Sequence, residues 1–320
     1  MPSAGRTAAE SKTKGAGLVL VFLLIWALAG CSAARKTADV VVETSSDVVD
    51  WVLPAGRPDL RQTVALIGVE SSLPSVQAGF ADHFRQALPG FLKKECAEAV
   101  IDEAAAGVVK TPPRLPSGLL DGYALAVLGR QRGVNFFLIG TLVDVRVKSE
   151  PKGFWLWKDT RYSIQTVVRL ELVDSATGAK ILDDTSRTET EIDSVRYEEI
   201  EQFKNIQLAD IGSSITGLFR KGGKLVCTAM HSLPWQGFVL AAERGRITLS
   251  AGSRTGLSAG RMLEVFSAGP VFTSKDGQRF LSVGEKIGEA TLTTVAEDRA
   301  EAAFGGWERL KEGGTVQVKK

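Results

Sequence analysis

Residues 134–148, VNFFLIGTLVDVRVK, decide how the rest of the chain is read. Val134 to Gly140 is apolar except for Asn135, a run of strand length. From Leu142 to Lys148 the texture changes to alternation, with Val143, Val145 and Val147 set against Asp144, Arg146 and Lys148. Tyr162 to Val173 repeats that period of two. It places Tyr162, Ile164, Thr166, Val168, Leu170 and Leu172 on one face, and Ser163, Gln165, Arg169 and Glu171 mostly on the other. Such alternation predicts one buried and one wet face. Asp174 to Gly178 (DSATG) is turn chemistry, and Lys180 to Ile192 returns as a polar strand, so this segment is an antiparallel hairpin.

Working outward, Val64 to Val69 (VALIGV) is a further apolar run of strand length. Leu73-Pro74-Ser75 then opens a helix whose apolar face is Val76, Phe80, Phe84, Ala87 and Leu88, and which Pro89-Gly90 stops or kinks. A weaker strand lies near Ala99 to Asp102, and the prolines of Thr111 to Pro116 mark a loop. A second helix starts at Ser117, buries Leu120, Tyr123, Ala124, Val127 and Leu128, and ends at Gly129 to Gly133. After the hairpin a third helix presents Leu208, Ile211, Ile215, Leu218 and Phe219, and Lys221-Gly222-Gly223-Lys224 closes the unit. These elements predict an α/β layer domain over 61–222.

Beyond residue 223 the chain turns to short strands and many glycines. Phe238–Ala242, Arg246–Ser250, Met262–Phe266, Lys286–Val295, Arg299–Phe304 and Thr315–Val318 are the candidates, and their spacing predicts a small closed β-barrel over 223–320. Ala268 to Val283, turning at Lys275-Asp276-Gly277, reads as a hairpin projecting from it. The expected fold class is therefore α+β.

Upstream of both units, Leu18 to Ala29 (LVLVFLLIWALA) is an uncharged apolar run behind a basic start. It falls short of the roughly 18 residues that span a bilayer as a helix and reads as a signal-peptide core, with 1–30 removed and 31–60 left as a tether. Leu28-Ala29-Gly30-Cys31 comes directly after the run and resembles the lipobox of bacterial lipoproteins, in which the cysteine is acylated. The resemblance implies that Cys31 carries the lipid anchor. Ser32 rather than Asp at the next position implies, by the enterobacterial pattern, export to the outer membrane with the protein facing the periplasm.

The α/β unit, with VALIGV at its start, GVNFFLIGTLVDV after the second helix and RLELVDSATGAKIL as its last hairpin, resembles the amino-terminal domain of TolB. It also resembles domains of curli-secretion lipoproteins and of lipoproteins that activate penicillin-binding proteins. The last 95 or so residues resemble the carboxy-terminal domain of the flagellar assembly protein T family. Trp235, Gly237, Ile247, Leu249, Gly252, Gly256, Leu257, Gly260 and Leu263 to Val265 carry that likeness, which implies an SH3-like barrel. Gly260-Arg261 stands where members often have Gly-Asp, so the likeness assigns no role to that acid.

Composition excludes several functions. Of 320 residues 44% are hydrophobic and 24% charged, which is globular composition. The first 30 residues hold Arg6, Lys12 and Lys14 against Glu10, and residues 31–320 are formally neutral, so the cationic surplus of a nucleic-acid binder is missing. Gly256-Leu257-Ser258-Ala259-Gly260 matches the serine-hydrolase pattern, but its flanks are strands and no His is found after Ser258. Only His83 and His231 exist: His83 falls off the apolar helix face and reads as solvated, and His231 sits in a linker, Met230 to Pro234. No Cys/His spacing supplies the usual tetrahedral zinc set. The paired acids Asp183-Asp184 and Glu198-Glu199 point in different directions and make no acid/base couple. No catalytic residue, metal, cofactor or small-molecule substrate is expected.

Two features remain. Phe154, Trp155, Leu156 and Trp157 form an aromatic hairpin tip flanked by charges, which serves either as a partner surface or as a cover folded back on the sheet or the tether. The charges around it interrupt the lipid-facing band that a pore strand needs. Cys96 and Cys227 are read as two unpaired buried thiols, with a bridge as the alternative. The expectation is a non-enzymatic lipoprotein whose partners are the membrane and periplasmic or outer-membrane proteins, with flagellar basal-body assembly as the first guess. Activation of a peptidoglycan synthase is the alternative.

Overall fold

A computed structural model describes residues 60–319 apart from 71–72, 74–75, 77, 104–106, 108, 110, 155–156 and 311–312, and no side chain from 154 to 158. The chain first forms β1 (Gln62–Val69), α1 (Phe80–Glu95), β2 (Ala99–Ile101) and α2 (Gly122–Arg132). It continues with β3 (Phe136–Phe154), β4 (Trp157–Asp174), β5 (Lys180–Ile192), α3 (Ser194–Phe203) and α4 (Leu208–His231). These build a five-stranded sheet in the order β2-β1-β3-β4-β5, parallel between its first three members and antiparallel across β3, β4 and β5.

β1 lies between two parallel neighbours and is buried on both faces, which is why its sequence is a continuous apolar run. One sheet face, with Val64, Leu66, Leu138, Ile164, Val168 and Leu170, packs on α1 and α4 through Phe80, Phe84, Leu88, Ile211, Ile215 and Phe219. The other, with Ala65, Ile67, Phe137, Ile139 and Val173, packs on Leu125 of α2. Close approach explains Gly140: a Cβ there would come within 2.2 Å of the Phe84 ring.

Several sequence expectations shift. α1 begins at Phe80 with Gly79 at its N-cap, while Pro74 and Ser75 of the expected start lie outside the described residues. Glu70, ten residues away, accepts from the backbone N–H of Gly79 (2.8 Å) and Phe80 (3.2 Å), placing a carboxylate at the positive end of the helix dipole. Val76 instead makes a bridge with Ile206. Pro89 lies inside α1 without ending it, because Leu88 and Leu92 on either side remain fully buried against the sheet. α2 starts after Asp121, whose side chain accepts from Ala124 N–H, so its buried positions are Leu125, Ala126, Gly129 and Arg130 rather than Tyr123, Ala124, Val127 and Leu128. Lys221 to Lys224 does not end a helix either, and the 222/223 boundary falls within α4. Gly222 is there because a side chain would meet Leu170 Cδ1 at 2.2 Å, which allows α4 to lie close on β4.

The wet face expected on β4 is also absent. Ser163, Gln165 and Glu171 are buried, since β4 has a strand on each side and long charged neighbours cover it. Gln165 donates to Glu189 (3.1 Å), and Glu171 accepts from Lys180 (2.9 Å).

The barrel comes next: β6 (Gln236–Glu243), β7 (Arg246–Leu249), β8 (Met262–Thr273), β9 (Arg279–Val295), β10 (Ala300–Ala303) and β11 (Thr315–Val318). It closes in the order β10-β7-β6-β11-β8-β9, all antiparallel, around Val239, Ile247, Leu249, Leu263, Val265, Leu292, Ala302 and Val316. Leu60, assigned to the tether by the sequence, is 4% exposed and belongs to this barrel core. The chain therefore contributes to the barrel before it forms the first strand of the sheet. Residues 58–320 form one compact unit.

Candidate functional site

Cys31, the expected anchor, lies outside the described residues, as do Trp155 and Leu156 and the side chains of Phe154 and Trp157. The backbone still shows where the aromatic tip is carried. β5 accompanies β4 only as far as Tyr162↔Ile192, whereas the β3–β4 ladder continues from Glu150↔Arg161 to Phe154↔Trp157. Beyond the sheet the arm is two-stranded, and the side chains that lead to its tip, at Ser149 to Gly153 and Asp159 to Thr160, are exposed.

The most constructed region is the seam between sheet and barrel, which the sequence pattern does not reveal. Asn135, the one polar residue of its run, accepts from Thr63 N–H (2.9 Å) and donates to the Gln236 carbonyl (2.6 Å). Trp235 Nε1 donates to the Arg61 carbonyl (3.1 Å), and Arg61 N–H donates to that of Thr255 (2.9 Å). Arg130 extends from α2 and donates to the carbonyls of Ser175, Ala176 and Gly313, with its guanidinium over the Phe238 ring. Burial pushes Arg130 below its ordinary pKa, against the pull of Asp174, yet an arginine stays charged at physiological pH. Asp174 organises the DSATG turn by accepting from Ala176 N–H, Thr177 N–H and Thr177 Oγ1. Burial pushes its carboxyl above the usual range, although these hydrogen bonds and Arg130 oppose the shift. The barrel hairpin, expected to project, leans on the same turn: Leu281 N–H donates to the Thr177 carbonyl (2.8 Å), and Arg279 stacks over Tyr123 at 4.0 Å. A buried Arg on a helix had no local sequence signal, because its partners come from residues 45 to 183 positions away.

A cleft of about 570 Å³ opens along this seam. Thr63, Asp102, Gln131 and Arg132 line it from the sheet side, and Ser250, Arg254, Glu297 and Arg299 from the barrel side. Arg254 crosses it to Asp102 (3.1 Å) and also meets Asp298 (3.3 Å). Interleaved charges of both signs suit a small polar or zwitterionic group, and the cleft lining contains neither Cys nor His as a nucleophile or base. Ser258, of the hydrolase-like pattern, is exposed in a turn before β8.

The histidines and cysteines differ from expectation. His83 is half-buried, with its ring 5.9 Å from that of Phe219. His231 is the last residue of α4 rather than part of a linker, and its Nε2 lies 2.9 Å from Glu98 Oε2. Cys96 and Cys227 are joined in a disulfide with Cα atoms 5.5 Å apart. The reading as separate thiols assumed that Cys227 lay in the second domain. The extension of α4 past residue 222 instead returns it to the end of α1. The two Sγ atoms and a His231 ring nitrogen all lie within 4.8 Å of one another.

No family model matches the chain, and no curated protein matches it. Among solved structures the chain is similar to the hypothetical protein CT253 from Chlamydia trachomatis, at 12% identity over 53% of this chain and 96% of that one, with a TM-score of 0.32. A minor lipoprotein from Acinetobacter baumannii is similar at 10% identity over 54% of this chain and 96% of that one, TM-score 0.26. Lipoprotein GNA1162 from Neisseria meningitidis is similar at 13% identity over 44% of this chain and 93% of that one, TM-score 0.25. Likeness at this level assigns neither a fold family nor a function. Among the described residues no helix is long and apolar enough to cross a membrane, which says nothing of strands.

Proposed function

We propose that the chain is a non-enzymatic lipoprotein, anchored through Cys31 in the outer membrane and facing the periplasm, that serves as an interaction scaffold in envelope assembly. The observation that carries this reading is Leu28-Ala29-Gly30-Cys31 directly after a charge-free apolar run too short to span a bilayer. Each buried acyl methylene contributes about 0.8 kcal/mol, so two or three chains on one cysteine hold the protein at a lipid surface. The sheet is read as a TolB-amino-terminal-like module and the barrel as SH3-like, with the flagellar basal body as the first assembly to examine. The two-stranded arm with Phe154, Trp155, Leu156 and Trp157 at its end is the proposed partner surface. Labelling cells with palmitate tests the anchor: the chain takes up label, and Cys31→Ser loses both the label and the outer-membrane fraction. An unlabelled parent chain overturns the reading.

Activation of a peptidoglycan synthase is the second reading. Its support is the resemblance of the α/β unit, from VALIGV to RLELVDSATGAKIL, to domains of the lipoproteins that activate penicillin-binding proteins. Crosslinking in cells followed by mass spectrometry separates the two by the identity of the captured protein.

A further inference from the structure

One cluster shares no residue with the seam, the cleft or the arm. Cys96 caps the end of α1 and Glu98 comes two residues later, while Cys227 and His231 stand one turn apart on α4 and share a face. Packing of the two helices brings them together. Both ring nitrogens of His231 lie 3.9 Å from Cys227 Sγ, and Nε2 is held by Glu98 at 2.9 Å. The sulfurs are buried, whereas the side chains of His231 and Glu98 are 31% and 34% exposed, so the cluster opens to solvent on the histidine side.

A staple needs two cysteines and nothing more. Here an imidazole stands beside the sulfurs at helical i,i+4 spacing, with a carboxylate already bonded to one of its nitrogens. That is the donor set of a three-ligand zinc site, in which the second ring nitrogen donates to a carboxylate that fixes the tautomer. We propose that the reduced chain binds a zinc-class divalent cation through Cys96 Sγ, Cys227 Sγ and His231 Nδ1. Glu98 orients the imidazole, and a fourth position is open to solvent. The disulfide is the closed state of this site.

The chemistry balances with a dithiol as reductant. Its thiolate attacks one sulfur of the bridge, the Cys96–Cys227 bond breaks, and a second exchange leaves the dithiol as a disulfide and the two cysteines as thiols. Bonded to each other, the sulfurs offer no thiolate; reduced, each loses a proton to solvent as the cation binds, so binding tightens as pH rises. In the metal-free reduced chain the Cys227 thiol donates a hydrogen bond to the Glu95 carbonyl, which lies 3.0 Å from its Sγ.

The test is a cobalt(II) titration of the full chain carrying Cys31→Ser, so that Cys96 and Cys227 are its only cysteines. After reduction with a phosphine, one equivalent of cobalt gives sulfur-to-cobalt charge-transfer absorption and tetrahedral d–d bands, which zinc displaces; the oxidised chain gives neither. His231→Ala weakens cobalt binding at least about ten-fold, and Glu98→Gln weakens it about ten-fold while keeping the charge-transfer bands. Octahedral cobalt without charge transfer, or His231→Ala binding as tightly as the parent, overturns the proposal. If reduction alone unfolds the chain, circular dichroism is the readout. Zinc then restores the fold of the parent but not of His231→Ala, and failure to restore the parent overturns the proposal equally.

Discussion

The five-stranded sheet and the six-stranded barrel solve the same problem differently. The sheet buries two faces under long helices and carries a covalent bridge between the ends of two of them. The barrel closes on itself, has small core residues such as Ala290, Ala300 and Ala302, and takes Leu60 from upstream of the sheet to complete its interior. The sheet is held by apolar area and a crosslink. The barrel depends on closure and on a polar seam fastened by Asn135, Arg130 and Trp235. Two units adjacent in sequence are thus made interdependent by a few hydrogen bonds spanning more than 100 residues.

The largest expected effect breaks the sheet side of this comparison. Cys96→Ser with Cys227→Ser removes a crosslink between residues 131 apart and costs about 4 kcal/mol, measured by urea unfolding under oxidising conditions. A cost near zero would show that the helices need no bridge. Next, Arg130→Ala leaves three carbonyls on both sides of the seam without their donor, an expected loss of about 3 kcal/mol. Because it loosens the seam while Asn135 and Trp235 still bridge it, calorimetry is expected to show two partly overlapping transitions. A single transition would mean that coupling resides elsewhere. Leu60→Ala acts on the barrel alone. It costs between about 2 and 3 kcal/mol as a core cavity, seen as faster amide exchange in β6 to β11 but not in β1 to β5.

Gly133→Ala sharpens the seam itself. Gly133 has φ of 74°, and a Cβ there would lie 1.9 Å from the Ser250 carbonyl, so a loss of about 2 kcal/mol is expected by thermal melting. The smallest effect is electrostatic. A hydrogen bond from Arg169, together with a weaker one from Lys180, holds the Asp183 carboxyl at about 2, below its ordinary 3.8. The lowered pKa means that this contribution is present in full above about pH 4 and is lost as pH falls through about 2. With solvent screening it amounts to less than about 1 kcal/mol. Asp174, raised by burial, titrates in the opposite sense, so the comparison is between the parent and Asp183→Asn across pH 2 to 5.

Much of the strand framework was legible because strands advertise their environment locally. The runs at Val64 and Val134, the alternation in β4 and the turn chemistry at Asp174 and Asp276 each depend on neighbours in sequence, and each led to the right element. Helix limits were less legible. α1 is capped by Glu70 from outside its own turn, and α4 runs through two glycines that the sequence reads as a stop. In both cases a tertiary contact overrode the local rule. The candidate site was nearly invisible: Arg130 falls in the stretch Gly129 to Gly133 that the sequence reads as a helix end, and Cys96 and Cys227 seemed to lie in different units.

By itself the sequence determined the positions of most strands and the order of sheet and barrel, because periodicity and turn residues act over a few positions. Only the tertiary structure decided that Leu60 fills the barrel, that Arg130 joins the two units and that Cys96, Cys227, His231 and Glu98 meet at one point. Each of those depends on where two distant backbones come to rest. That position is set by the packing of whole helices on the sheet, which a local stretch of sequence does not encode.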